Sequence, residues 1–315
     1  MAKLKQMLSV IVDEVPQNSK VVYLDIPLHL NVGDLLIYKG TEQFFIEQKY
    51  QVLARRTDKC SLKYVDETSK LPSDVVIMMH GGGNFGDLYG HHQRLREAVV
   101  QKFPDNKVVF LPQTVHFKSS IELEKSAAII KQHKNLTIFC RDTRSQEILL
   151  QHFCDHVVLC PDMAHALWNV FPQQKPTDIK SEKLWMLRKD IEETNVTGFP
   201  NVPTRDKFED WEDICTDRDR TVLNLIENAE RFNRHISSKL IPAPSIWGRY
   251  TDRLVDRINN YFMSHDTVIT SRMHGHILCC LLGVKTQLLD NSYGKNSGYY
   301  MSWTKDVPNC ELIRL

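Results

Sequence analysis

Alternation constrains this chain more than any single motif. Short β-branched and apolar runs are separated by stretches of helical length throughout its first half. Residues 21–25, 50–54, 75–79, 108–111, 136–140 and 157–160 read as strands. Residues 34–48, 88–102 and 121–133 between them read as helices. The run Val75-Val76-Ile77-Met78-Met79 is apolar throughout, as a parallel strand covered on both faces must be. This spacing predicts a doubly wound α/β architecture. In such folds ligands bind beyond the carboxyl ends of the strands.

The pattern changes after Pro172. Residues 184–187 read as a strand. Residues 189–219 are polar, with Pro200 and Pro203, and read as a long loop or flap. Residues 220–238 and 251–263 read as helices, and no strand is legible in 239–250. The runs 267–270 and 286–290, with the apolar helix between them, make a βαβ unit. Residues 291–298 form a turn-rich loop. At 315 residues the chain exceeds ordinary single-domain length. Two Rossmann-like α/β domains, 1–170 and 171–315, are expected to face each other across a cleft.

Composition narrows the function classes. Forty Lys+Arg against 39 Asp+Glu leave a net charge of +1, without the basic field that nucleic acid requires. No segment reaches the roughly 18 uninterrupted apolar residues that span a bilayer. The apolar start is broken by Asp13 and Glu14 and reads as a first helix, not a signal peptide. Cytoplasmic residence is the resulting expectation. The eight cysteines include no Cys-x-x-Cys pair and read as small core residues, with no metal set at ligand spacing.

Chemistry concentrates at Ser271-Arg272-Met273-His274-Gly275, where a β-branched strand gives way to an apolar helix. Helix N-termini favour anions, and arginine offers a fork that fits carboxylate or phosphate. Histidine moves protons near neutral pH. Arg272 and His274 therefore suit proton chemistry on an anionic substrate. His276 reads as a helix-face histidine. In His80-Gly81-Gly82-Gly83-Asn84, the glycines let backbone approach a ligand closely, although a tight turn explains them too. The motif lacks the spacing of a dinucleotide site and the Lys-Ser/Thr of a P-loop. Asn84 and Asp87 suit sugar hydroxyls, and Asp87 equally suits a helix N-cap. Asn31 and Asp34 flank Gly33 where a helix begins. Asp34 reads either as a cap or as a carboxylate that orients or deprotonates a hydroxyl. Arg141 ends a strand, with Asp142 as the following cap. It reads as an anion ligand or a surface ion pair. Lys295 is a further phosphate contact or a solvated lysine.

Together these pieces resemble the polysaccharide pyruvyl transferase family, closest in pattern to its bacterial exopolysaccharide subgroup. The matching residues are Asn31-x-Gly33-Asp34, His80-Gly-Gly-Gly-Asn84-x-Gly86-Asp87, Arg141-Asp142-x-x-Ser145, Pro161-Asp162, Ser271-Arg272-x-His274-Gly275 with Leu282-Gly283, and Tyr293-x-Lys295. They fall in the family's order. The resemblance implies transfer of a pyruvyl group from phosphoenolpyruvate to two hydroxyls of a sugar, giving a cyclic ketal and phosphate. It also implies a GT-B-like pair of domains, with the acceptor on the N-terminal side and phosphoenolpyruvate on the C-terminal side. By motif, Arg272 and Arg141 would bind phosphoenolpyruvate and His274 would be the acid. Asp34 joins them as a catalytic candidate. Lys295, Ser271, Asn31, Gly82, Gly83, Asn84 and Asp87 join Arg141 as substrate-binding candidates. No cofactor is required. A lipid-linked acceptor would bring the protein to the inner face of the membrane as a peripheral partner. The alternatives are a nucleotide-sugar glycosyltransferase on the same fold and a non-catalytic glycan-binding protein.

Overall fold

A computed structural model describes residues 1–175, 180–189, 199, 202–236, 241–290 and 294–313. Tyr293 and parts of the polar 189–219 stretch lie outside the described residues. The chain opens with helices α1 (Ala2–Met7) and α2 (Val10–Glu14). The first sheet unit follows as β1 (Lys20–Ile26), α3 (Val32–Glu47), β2 (Gln51–Thr57), α4 (Ser61–Glu67), β3 (Val75–Met79) and β4 (Gly82–Gly86). It continues with α5 (Gly90–Lys102), β5 (Val108–His116), α6 (Ser120–Ile130), β6 (Leu136–Cys140), α7 (Thr143–His152) and β7 (Val157–Leu159). The second unit comprises β8 (Lys180–Met186), α8 (Trp211–Ile214), α9 (Asp217–His235), α10 (Ala243–Met263) and β9 (His265–Thr270). It ends with α11 (Met273–Leu282), β10 (Lys285–Leu289), α12 (Lys295–Tyr299) and β11 (Cys310–Ile313).

The protein is α/β, with two parallel sheets. The first has the order β2-β1-β3-β5-β6-β7, with β4 paired to β5; the second has the order β11-β10-β9-β8. Side chains alternate across the first sheet with the period of two that a pleated strand imposes. Val21 and Tyr23, Val76 and Met78, and Val109 and Leu111 face one core, shared with α3. Val22 and Leu24, Ile77 and Met79, and Val108 and Phe110 face the other, against α5 and α6. The α3 core continues without a break into the second unit. Leu35 and Leu36 of α3 join Ile258 and Phe262 of α10, Ile277 and Leu281 of α11, and Leu184 and Met186 of β8. Each fully buried chain of this kind contributes about 1.5–3 kcal/mol.

Several expectations need correction. The glycine-rich motif is not only a turn: Gly82–Gly86 forms β4, anchored by Phe85 packing edge-on to Phe153. Strand β5 does not end at Leu111 but runs through Pro112-Gln113-Thr114 to His116. The 239–250 region, where no strand was legible, contains the start of α10, which carries Pro in its first turn. The 189–219 stretch is no simple flap. Its Phe208 stacks on Trp185 of β8 and joins Leu187, Ile269 of β9 and Leu289 of β10 in one apolar cluster. Short helix α8 and the first residues of α9 belong to the same stretch. Lys295, placed in a loop, starts α12.

Candidate active site

The carboxyl ends of β1, β3, β6, β8 and β9 open on one cavity of about 520 Å³, within the range of small-molecule sites. Asp34, His80, Gly83 and Arg141 line it from the first unit; Arg188, Arg272, His274 and Lys295 line it from the second.

His274 lies in the first turn of α11. Its Nε2 is 3.3 Å from Asp162 Oδ2 and 3.5 Å from Arg141 Nη1. Arg141 Nη1 donates to the same Asp162 oxygen, and Arg141 Nε donates to Thr114 Oγ1 at 2.8 Å. Arg141 is 1% exposed, which excludes a surface ion pair. Burial would raise the Asp162 carboxyl, but His274 and Arg141 outweigh it and hold the group far below the usual carboxylate range. Asp162 therefore faces the imidazole as a fixed negative charge. The quoted Pro161-Asp162 pair pointed to this residue, but its partners are distant in sequence and its role was not legible.

Asn31 caps α3, accepting from the Gly33 N–H at 3.1 Å, so Asp34 is not the cap. The Asp34 carboxylate instead faces the cavity and accepts from Asn31 Nδ2 at 2.9 Å. Burial pushes it up, but His29, His274, His80 and Arg141 together hold it below its ordinary value. Lys295 is brought down to about 7, first by burial and then by Arg141 and Arg188. A β-carbon on Gly83 would stand 3.0 Å from Lys295 Nζ and 3.3 Å from Arg141 Nη2. The bare backbone of Gly83 leaves room for both cations to approach β4 without shifting aside.

The other expected residues are placed differently. Arg272 lines the cavity, but its Nε donates to Asp210 Oδ1 at 2.7 Å and its Nη2 donates to Asp210 Oδ2. The planar fork that suits an anionic ligand also suits the carboxylate beside it. Ser271 does not line the cavity. Its Oγ accepts the Arg188 N–H at 3.0 Å and its carbonyl accepts from Asn296 at 2.8 Å. Asp87 is also outside the lining, because its carboxylate accepts the Lys118 and Ser119 N–H groups at 2.8–3.0 Å. Asn84 lines the cavity with its side-chain oxygen held by Arg96. Gly82 sits behind the lining at φ 131°, its β-carbon position 3.8 Å from Asp34 Oδ1. Asp142 caps α7 as expected, accepting the Ser145 N–H at 2.7 Å.

This arrangement gathers cations, an imidazole and a helix N-terminus at one end of a cavity. It suits capture and protonation of a small anion. The sequence profile of the family described as polysaccharide pyruvyl transferase matches residues 31–293. The chain belongs to the polysaccharide pyruvyl transferase family. It is 37% identical to EpsO of Bacillus subtilis, which bears a pyruvyl transferase name, over 100% of this chain and 94% of that protein. It is 28% identical to Pyruvyl transferase 1 of Schizosaccharomyces pombe, over 90% of this chain and 69% of that one. The fold matches a crystal structure of a functionally uncharacterised protein from Klebsiella pneumoniae. That match has a TM-score of 0.65 at 20% identity and covers 100% of both chains.

In this pyruvyl transferase family member, one set among the described residues could hold a metal ion. His276, Cys280 and Cys310 offer ligand atoms within 4.8 Å of one another. None of the three lines the cavity. His276, read as a helix-face residue, is fully buried and its Nε2 pairs with Thr304 Oγ1 at 2.8 Å. Sequence reasoning missed the cavity residues Arg188 and His92, and named His80 without giving it a role. His80 alone carried a signal, as the first residue of the glycine-rich motif. Among the described residues, no helix is long and apolar enough to cross a membrane.

Proposed function

We propose that the protein transfers the pyruvyl group of phosphoenolpyruvate to two hydroxyls of an exopolysaccharide sugar or its lipid-linked precursor, forming a cyclic ketal and releasing phosphate. One observation carries the reading. Arg141 and Lys295 converge on the Gly83 backbone in the cavity that His274 also lines. A doubly anionic, carbon-protonatable substrate matches that set. The family membership supports the transferase class.

In this reading Arg141, Lys295, Arg272 and the N-terminus of α11 hold the carboxylate and phosphate. Arg272 exchanges part of its pairing with Asp210 for the ligand. His274, protonated, gives its proton to the methylene carbon. Positive character develops at the central carbon, and a sugar hydroxyl adds there as its proton passes to a base at the cavity wall. A second hydroxyl closes the ring as the bond from carbon to the phosphate oxygen breaks. Its proton leaves with phosphate. Asp34 and Asn31 accept hydrogen bonds from the acceptor and orient it. Gly83 and Asn84 line its approach. Unit 1–170 serves the acceptor and lends Arg141 to the donor, which unit 171–315 otherwise holds, as in a GT-B-like enzyme. No cofactor enters the scheme. A lipid-linked acceptor would make the protein a peripheral visitor to the cytoplasmic membrane face.

The test is His274→Ala, with phosphoenolpyruvate and a panel of galactose-, glucose- and mannose-type acceptors. Loss of the general acid should slow phosphate release by about 10²–10⁴ while phosphoenolpyruvate still binds. Release at the wild-type rate would refute the assignment.

A further inference from the structure

The attacking hydroxyl must lose a proton, and Asp34 is a poor base for it. Its carboxylate already accepts from Asn31 and is held below its ordinary value by the imidazoles around it. A second carboxylate, unused by the scheme above, lies at the same end of the first sheet. Asp25, near the end of β1, is 1% exposed and adopts φ 69°, the left-handed region that non-glycine residues rarely occupy. Such strain persists only where its surroundings enforce it, and it gathers at functional sites. Ser61 Oγ accepts the Asp25 N–H at 2.9 Å and fixes the bend. Both Asp25 carboxylate oxygens lie within hydrogen-bond reach of His92 Nδ1, at 2.7 and 2.9 Å.

Burial pushes the Asp25 carboxyl up, but His92, Arg96 and His80 outweigh it, so Asp25 is an ionised acceptor. With Asp25 facing Nδ1, the neutral form of the imidazole holds its proton there and its lone pair on Nε2. Among the described residues Nε2 has no hydrogen-bond partner, and His92 lines the cavity. A buried carboxylate that orients the imidazole of a cavity-lining histidine is the arrangement of an oriented base. The groups around His92 are Asp25 of β1, His80 beyond β3, and Tyr89, His91 and Arg96 at its own helix. Asp58 and Lys59 act on the adjoining His91.

Resting on the pyruvyl-transfer reading, we infer that His92, positioned by Asp25, is the base that takes the proton of the attacking acceptor hydroxyl. The O–H proton moves to His92 Nε2 as the hydroxyl oxygen bonds to the central carbon. The electron demand there comes from the proton that His274 delivers to the methylene carbon. His92 then returns its proton to water.

The experiment compares full-length wild type with His92→Gln and Asp25→Asn. It measures phosphoenolpyruvate binding by calorimetry, and phosphate release across pH with the glycoside panel. His92→Gln should bind phosphoenolpyruvate as wild type does but lose about 10²–10⁴ in kcat. Asp25→Asn should lose up to about 10⁴ through the wrong tautomer. The acid limb of its residual kcat should move to lower pH, because the charge that favours an imidazolium is gone. A purely structural role for Asp25 would leave that limb in place. Wild-type kcat in His92→Gln, an unmoved limb in Asp25→Asn, or loss of phosphoenolpyruvate binding in His92→Gln each overturns the dyad and leaves the pyruvyl-transfer reading standing. Wild-type protein that neither binds nor consumes phosphoenolpyruvate overturns both.

Discussion

A β-carbon on Gly33 would lie 2.7 Å from Nδ1 of His274 and 3.0 Å from its Cβ and Cγ. The first turn of α3 and the first turn of α11 thus meet at the imidazole, one from each sheet unit. The glycine in Asn31-x-Gly33-Asp34 exists for this contact as much as for the helix start.

Gly33→Ala should therefore displace His274 and leave α3 intact, since alanine favours helix. A misplacement near 1 Å can cost about 10² in rate. Phosphate release should fall by that order while circular dichroism and thermal midpoint stay near wild type. Unchanged turnover would mean that the imidazole has room to move without consequence.

Asp162 makes a stability prediction. It neutralises the buried Arg141, and breaking a buried pair by removing one partner costs about 3–5 kcal/mol. Asp162→Asn should lower the urea midpoint accordingly. The pH dependence has a definite sign. The folded carboxyl lies below its unfolded value of about 3.9, so its stabilisation is complete above that pH and lost as pH falls toward the folded value. Urea midpoints of wild type should drop on acidification below about pH 4, and the Asn variant should show a shallower drop.

Lys295 predicts a neutral-pH effect on binding. Burial, then Arg141 and Arg188, bring its ammonium down to about 7. Only the charged form attracts an anion, so phosphoenolpyruvate affinity should weaken as pH rises through 7. Binding should also draw a proton onto the lysine, because an adjacent anion favours its charged form. Calorimetry at pH 8 in buffers of different ionisation enthalpy should register that uptake. Lys295→Gln should diminish both the uptake and the pH dependence.

The parts of this molecule that were legible in sequence share a cause. Strand β3 is a continuous apolar run and β6 an apolar run broken only by Thr137; both are buried throughout, and their bounds agree with the pattern. Asp142 sits where a strand exit meets a helix start, which is local chemistry. What escaped depends on packing between distant segments. The glycines of β4 gave no strand signal, because its pairing with β5 and the burial of Phe85 are tertiary. Asp210 came from a stretch that looked like solvent-facing loop, yet it holds Arg272. Asp25 was visible only as the polar end of a strand, and its partner His92 sits on another helix. A charged residue closing a β-branched run at the binding end of a sheet was the available signal.

The most direct measurement of the central claim is mass spectrometry of a glycoside panel incubated with this protein and phosphoenolpyruvate in heavy water. The account predicts one acceptor carrying a pyruvyl ketal, with one deuterium in its methyl group and one phosphate released per ketal. Its His274→Ala counterpart should yield almost none. Untouched phosphoenolpyruvate, or an acceptor extended by a sugar from a nucleotide donor instead, would contradict it.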